Sequence, residues 1–366
     1  MRILYITPKI SGSGGVARVL SIKTNYFSEK FKIDVHILTQ NEENISLFYD
    51  FTNKTRFHYI KLTGNRFQYL FQYIKGLNKC INQIKPDIII VCDNGLKGYF
   101  VPWLLQTKIP ILFESHGSRY IEEKQNSEKL FAQILFKLKF YLKKIGIKSY
   151  DKVILLSNES KKEWNLKNVQ VIPNPNWFSS NIKSKLDNKK AISVSRYSYE
   201  KGIDRLLLIW QKVTETHPDW ILDIYGEYDS NSNYVSLAKQ LQIDNKVNFK
   251  NPVKDIQEKY QESSIYLMTS RSEGFPMVLL EAMSFGLPVV AYDCPIGPRA
   301  IITNNTTGFL INDGDEQAFA NKVSELIENI ELRKRIGANA KEAMTEYTIE
   351  NVMEKWQQLF NSLISK

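Results

Sequence analysis

Short β-branched runs alternate with helix-length amphipathic stretches along almost the whole chain. In the first half, strands are predicted at Ile3–Thr7, Val35–Thr39, Asp87–Cys92, Ile109–Glu114, Val153–Leu156 and Val169–Ile172. Helices are predicted between them near 15–29, 67–84, 96–106 and 124–147. The run Ile88-Ile89-Ile90-Val91 is apolar at every position, as a strand covered on both faces requires. Such βα alternation specifies a parallel sheet flanked by helices.

The alternation pauses over residues 173–190, which carry two prolines, four asparagines and four lysines without a sustained period. A second series follows. It has strands at Ala191–Ser195, Ile221–Tyr225, Val247–Phe249, Ile265–Thr269 and Val289–Ala291. Its helices are expected at 203–216, 234–242, from Pro276, and near 315–327, 330–345 and 348–364. The expected fold class is α/β, with two Rossmann-like doubly wound domains facing a cleft at their carboxyl-end loops. The predicted boundaries are 1–175, a linker at 176–190, and 191–345. A C-terminal helix, 346–366, remains, and a return to the first domain is one placement for it.

Composition narrows the class. With 366 residues, 43% hydrophobic and 24% charged, the chain can bury two ordinary cores. No apolar run approaches the roughly 20 residues that cross a bilayer. Met1–Pro8 reads as a first strand rather than a secretory signal. Three scattered cysteines, Cys80, Cys92 and Cys294, lack metal-ligand spacing and suit reduced thiols in a cytoplasmic protein. The net charge of +10 is uneven. Residues 1–180 hold 27 Lys and Arg against 14 Asp and Glu, whereas residues 181–366 hold 22 against 25. An anionic partner of the first half is therefore expected.

Four segments carry candidate chemistry. In Ser270-Arg271-Ser272-Glu273-Gly274-Phe275-Pro276, a polar turn follows a strand and Pro276 opens a helix. The Gly274 and Phe275 amides then lie beside a helix N-terminus, a site for anionic or hydroxyl oxygens. Glu281 falls in the apolar run of that helix and needs partners, because an unpaired buried charge is costly. Arg196 and Lys201 project two cations from a strand-to-helix turn, a geometry suited to a diphosphate. The turn Ser11-Gly12-Ser13-Gly14-Gly15-Val16-Ala17 formally fits a dinucleotide fingerprint. A nicotinamide enzyme is disfavoured, since the second strand closes Leu38-Thr39-Gln40 without the supporting acid. His116 stands just past a strand end, either as a loop histidine or as a functional one.

Glu273 and Glu281, framed as Glu-Gly-Phe-Pro…Leu-Glu-Ala-Met-Ser-Phe-Gly-Leu-Pro-Val-Val-Ala, resemble the E-x7-E signature of glycosyltransferase family 4. The resemblance implies a GT-B fold and a retaining enzyme that takes a sugar from a nucleotide-sugar, without a metal or other cofactor. It implies that Glu273 contacts the donor sugar and Glu281 the ribose hydroxyls. Arg196 and Lys201 would grip the pyrophosphate, and Gly15 would bring backbone to the donor phosphates. His116 would orient the reacting centre, with no role for the neighbouring Glu114. Asn174, in a Pro-Asn turn, is either a cleft residue or a turn residue. Asp313-Gly314-Asp315 imitates a metal-binding dyad, but turn and N-cap duty explains it better. Cys294-Pro295-Ile296-Gly297-Pro298-Arg299 is similar to a variant of bacterial polysaccharide-assembly members, so a hexosyl- or N-acetylhexosaminyltransferase acting on a glycan or lipid-linked acceptor is expected. An epimerase of the same fold and a non-catalytic sugar-nucleotide binder are the alternatives.

The helix predicted at 124–147 carries Lys124, Lys129, Lys137, Lys139, Lys143 and Lys144 against Glu128 alone. It either lies on an anionic membrane, at the inner face of the plasma membrane, or packs on the sheet with a wet lysine face. No nucleic-acid-binding module is present.

Overall fold

The computed structural model describes residues 1–43, 46–105, 107–118, 130–178, 183–227, 233–253 and 255–364, the side chains of 130–132 excepted. The chain divides into two compact units, Met1–Pro175 with Ile349–Lys366, and Asn176–Thr348.

The first unit is built on β1 (Arg2–Ile6), β2 (Asp34–Gln40), β3 (Arg56–Ile60), β4 (Ile88–Val91), β5 (Ile111–Glu114), β6 (Lys152–Leu155) and β7 (Val169–Val171). They form one parallel sheet in the order β3-β2-β1-β4-β5-β6-β7. Order reverses between β1 and β4, the point at which such sheets open a crevice at their carboxyl ends. Strand β3 escapes the sequence reading because it is an edge strand whose Phe57 and Tyr59 face outward, leaving Ile60 alone of its apolar residues in the core. The helix expected at 96–106 is broken into Leu96–Tyr99 and Val101–Leu104 by a non-helical Phe100, ahead of Pro102.

Helix Ile349–Ile364 belongs to this unit, although it follows the second in sequence. Its Val352, Met353, Trp356, Leu359 and Phe360 recur at helical spacing and are buried. Trp356 and Phe360 meet Phe27 edge to face at 6.4 and 5.4 Å. Side chains of this size contribute roughly 1.5–3 kcal/mol each when fully buried, which is ample to fix the helix to the sheet.

The second unit comprises β8 (Lys190–Val194), β9 (Ile221–Tyr225), β10 (Val247–Lys250), β11 (Ile265–Met268), β12 (Val289–Tyr292) and β13 (Phe309–Ile311). All are parallel, in the order β10-β9-β8-β11-β12-β13, and the reversal falls between β8 and β11. Strand β13 is three residues long, too short for periodicity to reveal it. Asp315 caps the following helix by accepting from the Ala318 amide at 2.9 Å, and Asp313 pairs with Arg205 at 2.6 Å. Both acids of the apparent dyad thus have structural partners. Linker positions 179–182 lie outside the described residues.

No helix among the described residues is long and apolar enough to cross a membrane. The basic helix is described from Leu130 to Ile147, so Lys124, Glu128 and Lys129 lie outside. Its outward face differs from a wet lysine face. Ile134, Leu135, Leu138 and Tyr141 are about half exposed alongside exposed Lys137 and Lys139. Lys143 is buried, with its Nζ 5.2 Å from the Tyr99 ring centroid. The reading of Lys143 as a surface cation is therefore corrected: its stem and head are packed on the unit's own core.

Candidate active site

The sites grow from the two reversal points. In the second unit, the loop after β8 carries Arg196 and Lys201, and the loop after β11 carries Glu273, Gly274 and Phe275. Gly202 joins them. It adopts φ +65°, and a side chain on it would strike the Thr269 carbonyl at the end of β11. The Thr269 hydroxyl also donates to the Gly202 carbonyl at 2.9 Å. Only glycine combines that backbone with that approach.

Arg271, which sequence reasoning missed, fastens the two loops. Its guanidinium donates to the Tyr199 carbonyl at 2.7 Å and forks onto the Asp204 carboxylate. It also lies 4.1 Å over the Tyr199 ring. Its own amide donates to the Glu200 carbonyl at 2.8 Å. The available signal was an arginine beside the Glu-Gly-Phe turn, which no charge pattern distinguishes from a surface cation.

Within this clamp the Lys201 ammonium donates to Glu273 Oε1 at 2.6 Å, and the Ser270 hydroxyl donates to the same oxygen at 2.7 Å. Glu273 is buried at 7% exposure. Its backbone bridges Ile296, and a Cβ on Gly297 would collide with that of Glu273. Ile296 itself adopts φ +76°, a costly conformation for a β-branched residue. The Cys294–Pro298 turn is thus pressed against the glutamate. Arg196 is exposed, with no ion-pair partner among the described residues.

Glu281 lies in helix Met277–Ser284, whose N-cap is Pro276 rather than having Pro276 as its first turn residue. Its partners are the Trp177 indole, donating to Oε1 at 2.9 Å, and the Tyr260 hydroxyl, donating to Oε2 at 3.0 Å. Burial pushes the Tyr266 phenol well above its usual value, and the Glu273 and Glu281 carboxylates add to the shift. Phe275 is buried, its ring 6.0 Å from that of Tyr347.

In the first unit, Gly15 opens helix Gly15–Glu29 with Gly14 as its N-cap. A Cβ at Gly14 or Gly15 would meet nothing within 4 Å, so the unit's own packing does not demand glycine there. Glu42 holds the turn, accepting from the Ile10 amide at 2.8 Å and from the Ser11 amide and hydroxyl at 3.1 and 2.6 Å. Asn174 is buried with no hydrogen-bond partner for Oδ1 among the described residues.

His116 follows β5, and its Nε2 lies 3.3 Å from Glu114 Oε1. Assigning Glu114 no role needs correction. Its carboxylate accepts from the Lys23 ammonium through both oxygens at 2.6 Å, with both side chains about 1% exposed. Burial alone would raise the Glu114 carboxyl; the Lys23 ammonium first and His116 second hold it down at about 2. Cys92, Glu114 and His116 bring ligand-type atoms within 4.8 Å of one another. Lys23 already supplies the cation, so these residues do not form a ready metal site.

The comparisons agree with this geometry. A family model described as Glycosyl transferases group 1 matches residues 177–343, and one described as Glycosyl transferase 4-like matches 17–157. An uncharacterized glycosyltransferase of Haemophilus influenzae is 31% identical over 293 residues, covering 78% of this chain and 80% of that protein. The amylovoran biosynthesis glycosyltransferase AmsD of Erwinia amylovora is 28% identical over 372 residues, covering 98% and 99%. Among solved structures, a sucrose-phosphate synthase of Thermosynechococcus elongatus superposes with a TM-score of 0.82 at 17% identity, covering 100% of this chain and 99% of that one. Anabaena HepE in complex with UDP-glucose gives 0.78 at 18% identity, covering 99% and 100%. Two parallel Rossmann-like sheets, the chemistry gathered at their carboxyl ends, and relatives that span most of the chain lead to one assignment: the chain belongs to the glycosyltransferases of GT-B fold.

Proposed function

We propose that this glycosyltransferase is a retaining, metal-independent enzyme of family 4 that transfers a sugar from a UDP-sugar to a glycan or lipid-linked acceptor in surface polysaccharide synthesis. One observation carries the reading. Arg196 and Lys201 follow β8 and Glu273 follows β11, at the reversal point of a doubly wound sheet where Lys201 meets Glu273 at 2.6 Å, and Glu281 lies on the helix that comes next. In this reading Glu281 accepts from the ribose hydroxyls, and the Gly274 and Phe275 amides face the donor sugar with Glu273. Arg196 and Lys201 stabilise the charge that develops on the departing diphosphate, the task a divalent ion performs elsewhere. The open backbone at Gly14 and Gly15 lets phosphate oxygens approach, and His116 orients the transferred sugar. Asn174 Oδ1 is left to a ligand donor. The AmsD relative, named for amylovoran biosynthesis, and the HepE structure with bound UDP-glucose support the polysaccharide and UDP parts.

For its place in the cell, the proposal is a cytoplasmic enzyme peripheral on an anionic membrane. The exposed Ile134, Leu135, Leu138 and Tyr141 with Lys137 and Lys139 form an apolar strip beside cations. Exposed Phe67 and Phe71 sit on helix Arg66–Ile84 of the same unit.

The test is nucleoside diphosphate release from UDP-, GDP- and ADP-sugars, with the anomeric configuration of the freed sugar read by NMR. Release from a UDP-sugar with the donor's configuration kept is expected. An inverted product, or release from none of the donors, overturns the reading.

A further inference from the structure

The first unit buries a charged group that the transfer chemistry does not call for. Lys23 lies on helix Gly15–Glu29, and its ammonium is enclosed. Two of its directions are taken by Glu114 Oε1 and Oε2, both at 2.6 Å. On another side is the Trp356 indole face, with its centroid 3.8 Å from Nζ; the Tyr5 ring stands 5.5 Å away. The groups facing Glu114 are thus Lys23, His116, the Cys92 thiol (which donates to Oε2 at 3.6 Å) and Tyr5. Burying an ammonium is expensive unless it is paired. Its partner is the carboxylate that faces His116.

We propose that Lys23 and Trp356 are positioning residues for His116: the ammonium, held against the indole of the C-terminal helix, keeps Glu114 a carboxylate 3.3 Å from the imidazole Nε2, a buried nitrogen with no hydrogen-bond partner among the described residues.

An ionised Glu114 can only accept, so the imidazole turns a protonated Nε2 toward it and leaves Nδ1 as the acceptor. Without Lys23 the buried carboxyl keeps its proton, because burial raises it and the largest opposing charge is gone. Its O–H then donates to His116, and the imidazole tautomer reverses. The C-terminal helix therefore does more than complete the apolar core: Trp356 supplies a π face at the one ammonium that fixes this tautomer.

Lys23→Met tests this, read in two ways. The kinetic arm rests on the glycosyl-transfer reading; the spectroscopic arm does not. Only four histidines are present, so the His116 ring nitrogens can be assigned by ¹⁵N NMR. The wild type is expected to carry the proton on Nε2, and Lys23→Met on Nδ1. Turnover in Lys23→Met is expected to fall by about tenfold to a hundredfold with donor KM nearly unchanged, the loss that misplacing a reacting group produces. An acid limb absent from the wild type should enter the kcat profile of Lys23→Met, because the carboxyl must now lose a proton before it can accept. Trp356→Leu should move both readouts in the same direction, and Trp356→Phe, which keeps an aromatic face, should move them less. If Lys23→Met does not fold, Lys23→Met/Glu114→Gln removes both charges, a change that buried pairs tolerate. The folded double variant should lose the single tautomer and most of the turnover. Wild-type nitrogen shifts and wild-type kcat in a folded Lys23→Met or double variant would overturn the proposal. A wild-type enzyme without turnover on any donor would instead speak against the glycosyl-transfer reading and leave the NMR result to decide this one.

Discussion

Lys201 and Glu273 stand 72 positions apart in the chain and meet at 2.6 Å, where the loop after β8 closes on the loop after β11. The contact places a cation proposed for the diphosphate against the carboxylate proposed for the sugar. Neither residue can change without altering its neighbour's charge environment. Lys201→Met is accordingly expected to lower kcat by about a hundredfold to a thousandfold, the range for removing one preorganised charge stabiliser. Steady-state kinetics with a UDP-sugar checks this, and a loss confined to KM would contradict it.

The two glutamates should divide their labour. Glu281, held by Trp177 and Tyr260, is proposed to grip the ribose in both ground and transition states. Glu281→Ala is expected to weaken donor binding, while Glu273→Ala mainly lowers turnover. Equal losses of affinity at both positions, measured by calorimetry and kinetics together, would contradict this division.

Transfer should persist in excess EDTA, because Arg196 and Lys201 are proposed to supply the countercharge of the leaving group. Complete loss that magnesium or manganese restores would defeat the metal-independent reading.

How far the sequence reached is visible in these residues. Helices 15–29 and 203–216 and strand Ile221–Tyr225 were legible to the residue, because each shows one uninterrupted period. The resemblance to family 4 singled out Glu273, Glu281, Arg196 and Lys201, and of these the structure brings Lys201 and Glu273 into contact. Arg271, Glu42, Lys23 and Glu114 were not. Their partners lie 67, 32 and 91 positions away, and no local pattern distinguishes a charge with a distant partner from a solvated one. Lys143 went wrong for a related reason: a lysine on an amphipathic helix reads as wet until the neighbouring Tyr99 ring is seen beside it.

The proposed membrane association is expected to depend on both charge and apolar contact. Replacing Lys137 and Lys139 by Gln should weaken binding to anionic vesicles by about tenfold or more, at on the order of 1 kcal/mol per lysine. Leu135→Gln/Leu138→Gln should weaken it further, and rising salt should act on the wild type alone in proportion to its charge. Cosedimentation unchanged by all four substitutions would make this face a plain surface.

At the opposite end of β2, the His36 and His58 rings stack, with Nδ1 of one 2.8 Å from Nε2 of the other. Burial first lowers both, each hindered further by neighbouring positive charge, although Asp34 opposes the shift at His36. Their folded values lie below the unfolded one, so the unfolded chain binds protons more readily. Stability should be full above about pH 6.5 and fall as pH drops through the window below it. Thermal melting at pH 7.5 and 5.5 checks this: His58→Asn should narrow the difference between the two, and an unchanged difference would contradict it.

The central claim is that the loops after β8 and β11 hold the donor's diphosphate. Calorimetric titration of UDP into wild type and Arg196→Ala/Lys201→Ala tests it most directly, since it needs neither acceptor nor turnover. The account predicts at least about a hundredfold weaker binding in the folded double variant, as two charge-assisted contacts are worth roughly 3 kcal/mol or more. Equal affinity for UDP in the two proteins would contradict it.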